Sequence, residues 1–253
     1  MSSIEIAGIT LSYQEYGQAG PAMVILHGGS GRAATARPLA ERLAKTMRVW
    51  APDLPGHGDT SPTPGEYQLR AVAWRVAALM ERVIGEPAVV YGHSYGGHVA
   101  MMLAFLRPDL LSGLVVGDAP LTLARHRAQM EKDGPMVERF RDLASTEPGA
   151  LEELPVPSPS GALAPAGEVY GRGHPWFAGM AGNLHPHDPD FLTAVIDRFD
   201  DTYLGLGPDL LGSAPGPVLR LQADPVAGGL LTDEESRQHA TPSPECASSA
   251  CGG

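Results

Sequence analysis

The sequence is poor in cysteine, in positive charge and in long apolar runs. Its two cysteines, Cys246 and Cys251, both lie in the last eight residues, so we expect no disulfide framework. The 18 Lys and Arg residues against 29 Asp and Glu give a formal net charge of −11, which disfavours a nucleic-acid partner because phosphate groups are repelled. No apolar run approaches the roughly 20 residues that span a bilayer, so we expect no membrane partner. The first residues also lack the pattern of a secretory signal, and a soluble, cytoplasmic protein is predicted.

What the sequence does contain is an alternation of strand and helix signals. Residues 4–17 alternate around a glycine, which is typical of a β-hairpin. Residues 22–29 form an apolar run that ends in glycines, as in a strand buried on both faces of a parallel sheet. Residues 67–85 place apolar side chains on one helical face, and residues 88–92 have the pattern of the next strand. This alternation predicts an α/β fold with a mostly parallel sheet and flanking helices.

The alternation of strand and helix signals ends after Pro120, where the sequence becomes polar and helical and then rich in Pro, Gly and Ala. We therefore expect the first part of an α/β core at 1–118 and a helical cap insertion at 119–212. The second part of the core follows at 213–239. The tail at 240–253 has no large apolar side chain, and we expect it to be disordered.

The pentapeptide Gly92-His93-Ser94-Tyr95-Gly96 fits the pattern G-x-S-x-G. In this pattern a strained turn between a strand and a helix holds a serine hydroxyl exposed, and the glycines let strand and helix approach closely. The alternative is a glycine-rich turn with an incidental serine. An apolar strand precedes the motif and an amphipathic helix is predicted after it, so we favour a catalytic elbow.

Two further motifs, "ILHGGSG" at 25–31 and "DLPGHGDTS" at 53–61, accompany the elbow. With them the sequence resembles the α/β-hydrolase family over about residues 1–236. The resemblance implies that Ser94 is a nucleophile and that the backbone N–H groups of Gly29 and Tyr95 form an oxyanion hole. A serine at this position favours acyl transfer over the aspartate chemistry of the dehalogenases and epoxide hydrolases in that family. The other polar residues of the two motifs are expected to shape loops; they are His27, Asp53 and His57.

The resemblance also implies an acid and a base that follow the serine in the order Ser, Asp or Glu, His. Asp224 ends an apolar run at 217–223 and is favoured as the acid, because the residues after it resemble the loop that follows the acid in this family. Asp118 ends the preceding predicted strand and is the alternative, because some members carry the acid one strand earlier. Either aspartate has a second interpretation, as a loop residue that accepts backbone N–H groups.

The catalytic histidine is not where the family pattern places it. Only His239 follows Asp224, and neither the further strand, the Gly-His loop nor the closing helix of the family is recognisable. We therefore expect the fold without its last strand and helix. One hypothesis is a truncated or frameshifted reading frame, with the break near residue 236. The other is a natural end, with one of several histidines serving as base: His174, His185, His187 or His239.

The segment "HPHDPD" at 185–190 invites a metal interpretation. A helix over 188–205 with Asp188 as N-cap and Pro189 at its first position explains it more simply, so we expect no metal. The sequence therefore predicts a serine hydrolase for an ester, a lactone or a related acyl substrate, without a cofactor. The alternative is an inactive or non-catalytic binding protein that lacks the histidine. An unpaired sheet edge would favour self-association.

Overall fold

The computed structural model describes residues 1–143, 148–158, 162–184, 186–224 and 229–238. The predicted tail at 240–253, both cysteines, His185 and His239 lie outside these ranges. Strands in the described ranges are β1 (Ser2–Ile6), β2 (Ile9–Tyr16), β3 (Ala22–Leu26), β4 (Arg48–Pro52), β5 (Ala88–His93), β6 (Leu111–Gly117), β7 (Pro155–Pro157), β8 (Leu163–Pro165) and β9 (Val218–Leu221).

Seven of these strands form one sheet in the order β1-β2-β4-β3-β5-β6-β9, and β7 pairs with β8 in a separate hairpin. Strands β1 and β2 form the predicted antiparallel hairpin, and β2 is also antiparallel to β4. All other pairs in the sheet are parallel, which confirms the predicted mostly parallel α/β fold. Because β3, β5 and β6 are parallel, their carboxyl ends meet at one edge of the sheet, where ligands bind in open α/β folds.

Helices flank the sheet and fill the segment between β6 and β9. They are α1 (Arg37–Leu43), α2 (Leu69–Leu79), α3 (Tyr95–Leu106), α4 (Leu123–Leu143), α5 (Pro148–Glu152), α6 (Ala166–Tyr170), α7 (Pro175–Leu184), α8 (Pro189–Ile196), α9 (Phe199–Thr202), α10 (Asp209–Gly212) and α11 (Asp233–Gln238). No helix within the described ranges is long and apolar enough to cross a membrane.

Helix α3 departs from the sequence expectation. An amphipathic helix was expected after the elbow, but residues 95–104 of α3 are all buried. One side of α3 packs on the sheet, and another packs against α2. A third contact is with α10, which belongs to the segment inserted between β6 and β9 that we call the cap (119–212). A helix that is covered on several sides carries apolar or small residues around most of its circumference, so its sequence has a weak helical period.

The helix predicted over 188–205 begins as expected and then breaks. Asp188 caps α8 by accepting the Asp190 N–H at 3.0 Å, with Pro189 in the first turn, which confirms the predicted N-terminus. The chain turns between α8 and α9, where the Arg198 guanidinium reaches back to the Asp190 carboxylate at 2.7 Å. This turn places Phe199 in the core, with 7% of its surface exposed.

Strand β9 lies at the end of the sheet, and β6 is its only neighbouring strand in the described part of the chain. Its outward side chains Leu219 and Leu221 are 53% and 44% exposed. Within the described ranges, β9 therefore presents two apolar side chains at one end of the sheet.

Candidate active site

Ser94 lies between β5 and α3 in a backbone conformation that L-residues rarely adopt. Its φ is 50° and its ψ is −118°. Such conformations cost of order 1–3 kcal/mol and persist only where the surrounding structure enforces them. The Ser94 N–H donates to the Gly117 carbonyl at 2.9 Å, and the Ser94 carbonyl accepts the Gly97 N–H at 2.8 Å. The turn is the strained strand-to-helix elbow that the sequence predicts.

Two glycines make this turn sterically feasible. An ideal Cβ on Gly92 would lie 2.0 Å from the Gly96 carbonyl oxygen, and one on Gly96 would lie 2.4 Å from the Leu26 carbonyl oxygen. Separations below 3.0 Å between such atoms do not occur without a shift of backbone. The elbow therefore sits directly on the end of β3, which brings the loop after β3 to the serine.

That loop carries Gly28 and Gly29, whose backbone faces the elbow. An ideal Cβ on Gly28 would lie 3.5 Å from Ser94 Cβ, and one on Gly29 would lie 3.6 Å from Tyr95 Cβ. Tyr95 is the first residue of α3, where a backbone N–H has no acceptor within the helix. In the described residues, neither the Gly29 nor the Tyr95 N–H is donated to a protein acceptor. The two expected oxyanion donors are therefore adjacent to Ser94 and are not used by the fold.

The two candidate acids end neighbouring strands and differ sharply in surroundings. Asp118 is buried, has a φ of 47°, and accepts the N–H groups of Leu230 and Leu231 at 2.9 and 3.1 Å. It also accepts the Ala223 N–H at 3.3 Å. Asp224 is exposed and belongs to the loop that Asp118 holds. Asp118 therefore fits the second interpretation, a loop residue that accepts backbone N–H groups. This supports Asp224 as the acid.

The candidate bases give no partner for the serine in the described residues. His174 is exposed and its Nδ1 accepts the Trp176 N–H at 3.1 Å. Both ring nitrogens of His187 face carbonyl oxygens, at 2.8 Å from Asn183 and 2.9 Å from Gly29. No imidazole in the described ranges forms a hydrogen bond to the Ser94 hydroxyl. The remaining candidates, His185 and His239, lie outside those ranges.

The polar residues expected to shape loops do so. The buried Asp53 carboxylate accepts the N–H groups of Ala33 and Asp59 at 2.5 and 3.0 Å. The His27 Nε2 accepts the Leu54 N–H at 3.0 Å. Burial lowers the pKa of His27 to about 4, so the ring is neutral and able to accept this hydrogen bond at neutral pH.

The sequence interpretation missed a second group of buried rings between α3 and the cap. His98 donates its Nε2–H to the Pro120 carbonyl at 2.9 Å, and its ring centroid lies 4.6 Å from that of His126. The His126 ring is 4.3 Å from that of Tyr203. Burial lowers the pKa of His98 to about 4 and that of His126 to about 2. His98 follows Tyr95 by three residues, which places both on the same face of α3. This spacing was the sequence signal that could have pointed to the group of rings.

Comparisons with known proteins agree with this architecture. Among curated proteins, the chain is 39% identical over 122 residues to lipase LipV of Mycobacterium tuberculosis, covering 48% of this chain and 46% of the lipase. It is 38% identical over 120 residues to the pimeloyl-[acyl-carrier protein] methyl ester esterase of Aeromonas hydrophila, covering 46% of this chain and 45% of the esterase. The chain thus spans about half the length of these two relatives.

Solved structures extend the likeness to nearly the whole chain. Est816, an N-acyl homoserine lactone degrading enzyme, matches with a TM-score of 0.68 at 20% identity. The match covers 94% of this chain and 87% of the Est816 chain. A thermophilic esterase from Thermogutta terrifontis has a TM-score of 0.65 at 23% identity, covering 94% and 83%. At such identities the likeness establishes the fold. The sequence model described as "Alpha/beta hydrolase family" matches residues 23–247, and the chain therefore belongs to the alpha/beta hydrolase family.

Proposed function

We propose that this chain is a serine hydrolase that cleaves an ester, a lactone or a related acyl substrate. The observation that carries the proposal is the strained Ser94, which stands beside two backbone N–H groups that have no acceptor among the described residues. Strain of this kind is retained where the conformation is needed. The lipase and esterase names of the two curated relatives agree with acyl chemistry.

In the proposed reaction Ser94 Oγ attacks the substrate carbonyl carbon and gives up its proton to a base. The carbonyl oxygen becomes an oxyanion, which the N–H groups of Gly29 and Tyr95 stabilise. The bond to the leaving alcohol then breaks, the alcohol takes up the proton, and water releases the acyl group from the serine. Each oxyanion donor contributes about 3–4 kcal/mol to lowering the barrier in related chemistry. Asp224 is proposed to orient the base, and no cofactor is required.

A second candidate is an inactive or non-catalytic binding protein that uses the same site. It is favoured by one observation: no imidazole in the described ranges reaches the Ser94 hydroxyl. Loss of the histidine from a catalytic triad lowers turnover by about 10⁶. The partner in either case is a small acyl compound, with neither nucleic acid nor membrane involved, and a cytoplasmic location is proposed.

Hydrolysis of p-nitrophenyl acetate and butyrate by the purified chain tests the proposal. The test variant is Ser94→Ala, and the matched control is Ser112→Ala, an exposed serine on β6. We expect turnover by the unaltered chain and by Ser112→Ala, and its loss in Ser94→Ala. Equal rates for all three proteins would refute the enzyme. Saturable binding of a short acyl ester or lactone by all three, without turnover, would then identify the binding protein.

A further inference from the structure

Two histidines far apart in sequence meet at the carbonyl oxygen of Gly29. The Nε2 of His57 lies 3.0 Å from this oxygen and the Nε2 of His187, from the cap, lies 2.9 Å from it. The two imidazole rings meet edge to face, with centroids 4.4 Å apart. Both side chains are buried. A loop residue beside the serine is therefore held by a side chain that belongs to the cap.

A count of protons indicates which histidine donates. The other nitrogen of each ring also faces a carbonyl oxygen, at 2.9 Å from Pro55 for His57 and 2.8 Å from Asn183 for His187. Burial is the main cause that lowers the pKa of both rings, so both are neutral at neutral pH and each has one N–H.

Three carbonyl oxygens therefore compete for two N–H groups. Pro55 is buried, whereas Asn183 and Gly29 are both partly exposed, so we assign the His57 N–H to the Pro55 carbonyl. With the His57 N–H on Pro55, His187 is the ring of the pair that can donate an N–H to the Gly29 carbonyl. The His57 Nε2 lone pair then faces the Gly29 oxygen. Of the two rings, His187 supplies the favourable contact.

His187 is itself fixed by the way the cap docks on the core. The next residue, Asp188, donates its N–H to the Gly56 carbonyl at 2.9 Å, and its carboxylate accepts the Tyr67 hydroxyl. Asp190 accepts the Gly65 N–H at 2.7 Å. These bonds join the start of α8 to the loop that carries His57, so the position of the His187 ring follows the position of the cap.

Gly29 depends on such a contact because it has no side chain of its own to hold it. Glycine has access to a wide range of φ and ψ, and the N–H and C=O of Gly29 belong to peptide planes that share its Cα. A donor on the C=O therefore restrains the direction of the N–H. We propose that His187 is a positioning residue, which holds the Gly29 carbonyl so that the Gly29 N–H points at the reacting oxygen while the cap is docked.

This inference rests on the proposed function, since it assigns a role within the same oxyanion hole. His187→Phe keeps a ring of similar size and removes the N–H. His187→Gln restores a side-chain N–H near the position of Nε2. Leu204→Gln, at a cap residue that is 73% exposed, is the matched control. If His187→Phe fails to fold, His187→Met replaces it as an apolar side chain without a donor.

Two measurements separate positioning from a general effect on stability. The first is hydrogen–deuterium exchange of peptides that cover residues 27–33, compared at equal distance below each variant's unfolding temperature. The second is the kcat and KM for p-nitrophenyl butyrate. We expect His187→Phe to exchange faster in this loop and to lose roughly 10-fold to 100-fold in kcat, with KM within about threefold. His187→Gln should recover most of both, and Leu204→Gln should match the unaltered chain.

Each result has a distinct meaning. Unchanged exchange of residues 27–33 in His187→Phe overturns the positioning role, whatever the activity. Faster exchange with unchanged kcat also overturns it, because the loop would then move without affecting the oxyanion. If the unaltered chain is no more active than Ser94→Ala, the proposed function itself fails, and the role of His187 in an oxyanion hole fails with it.

Discussion

Asp118 and Leu231 are 113 positions apart in sequence, and the carboxylate of the first accepts the backbone N–H of the second at 3.1 Å. This contact, with those to Ala223 and Leu230, fastens the loop after β9 to the end of β6. A buried carboxylate that accepts several N–H groups is a structural anchor, because each N–H would otherwise lose its acceptor.

Replacement of Asp118 and replacement of Asp224 should therefore affect different properties of the protein. We expect Asp118→Asn to lower the free energy of unfolding by about 1–3 kcal/mol, because an amide has one acceptor oxygen fewer than a carboxylate. Asp224→Asn should lower ester turnover and should lower the free energy of unfolding less than Asp118→Asn does, because the Asp224 side chain is exposed. Urea unfolding and ester hydrolysis measure the two effects. A fully stable but inactive Asp118→Asn would instead make Asp118 the acid.

The elbow glycines allow a steric test. We expect Gly92→Ala to lower the free energy of unfolding by more than about 3 kcal/mol, or to prevent folding, because its Cβ would overlap the Gly96 carbonyl. Gly179→Ala is the control: it lies in α7, where a Cβ meets nothing within 4 Å, and a gain of about 0.5–1 kcal/mol is expected there. Equal unfolding midpoints for the two variants would contradict the close packing described for the elbow.

Acid should weaken the fold through its buried histidines. The pKa of His27 falls from 6.5 to about 4 on folding, so between these pH values the unfolded chain binds more protons than the folded chain. Stability is therefore complete above about pH 6.5 and falls as the pH drops toward 4, by about 3 kcal/mol for His27 alone. Unfolding temperatures measured from pH 7.5 to 4.5 should decrease along this range. A flat profile would show that these rings are not neutral and buried.

His126 allows a sharper form of this test. Both of its ring nitrogens are buried without a hydrogen-bond partner in the described part of the chain. His126→Phe should therefore raise the free energy of unfolding at pH 7 by about 1–2 kcal/mol and reduce its loss below pH 6.5. Leu204→Phe, at a cap residue that is 73% exposed and does not titrate, is the control. A destabilised His126→Phe would indicate that water or a ligand group satisfies these nitrogens.

The exposed edge strand predicts self-association. Leu219 and Leu221 present apolar side chains on β9, and an open sheet edge pairs readily with another strand. We expect size-exclusion chromatography to show dimers or larger species, and Leu221→Lys to shift the distribution toward the monomer. Trp74→Lys, at an exposed site on α2, which packs against β1 at the opposite end of the sheet, is the control. A monomer at all concentrations for the unaltered chain would refute this expectation.

The sequence predicted the features that depend on local patterns. The buried run of β3, the hairpin of β1 and β2, the elbow around Ser94 and the N-cap at Asp188 all follow from residue spacing within a few positions. The full burial of α3 was not predictable from its own residues, because α2 and the cap helix α10, which pack against it, belong to other parts of the chain. The break after α8, where Arg198 contacts Asp190, was not predicted because the apolar spacing continues through it.

The candidate site could be predicted only in part from the sequence, for the same reason. Ser94, Gly29 and Tyr95 belong to short motifs, so the sequence predicted that they lie close together. The meeting of His57 and His187 joins segments 130 positions apart and has no periodic signature. Asp118 and Asp224 both follow strands, and only the hydrogen bonds of the folded chain show that Asp118 anchors the loop after β9.

The parallel pairing of β6 with β9 has a practical consequence for engineering. Leu114 pairs with Val218 and Gly117 with Leu221, so the whole cap leaves and returns to the sheet between two adjacent strands. The insertion point therefore joins two neighbouring strands, and a cap from another protein of this fold would have to span the same gap. Under the proposed function, such a chimera would test whether the cap selects the acyl group, and it would also need a residue to replace His187 at the Gly29 carbonyl.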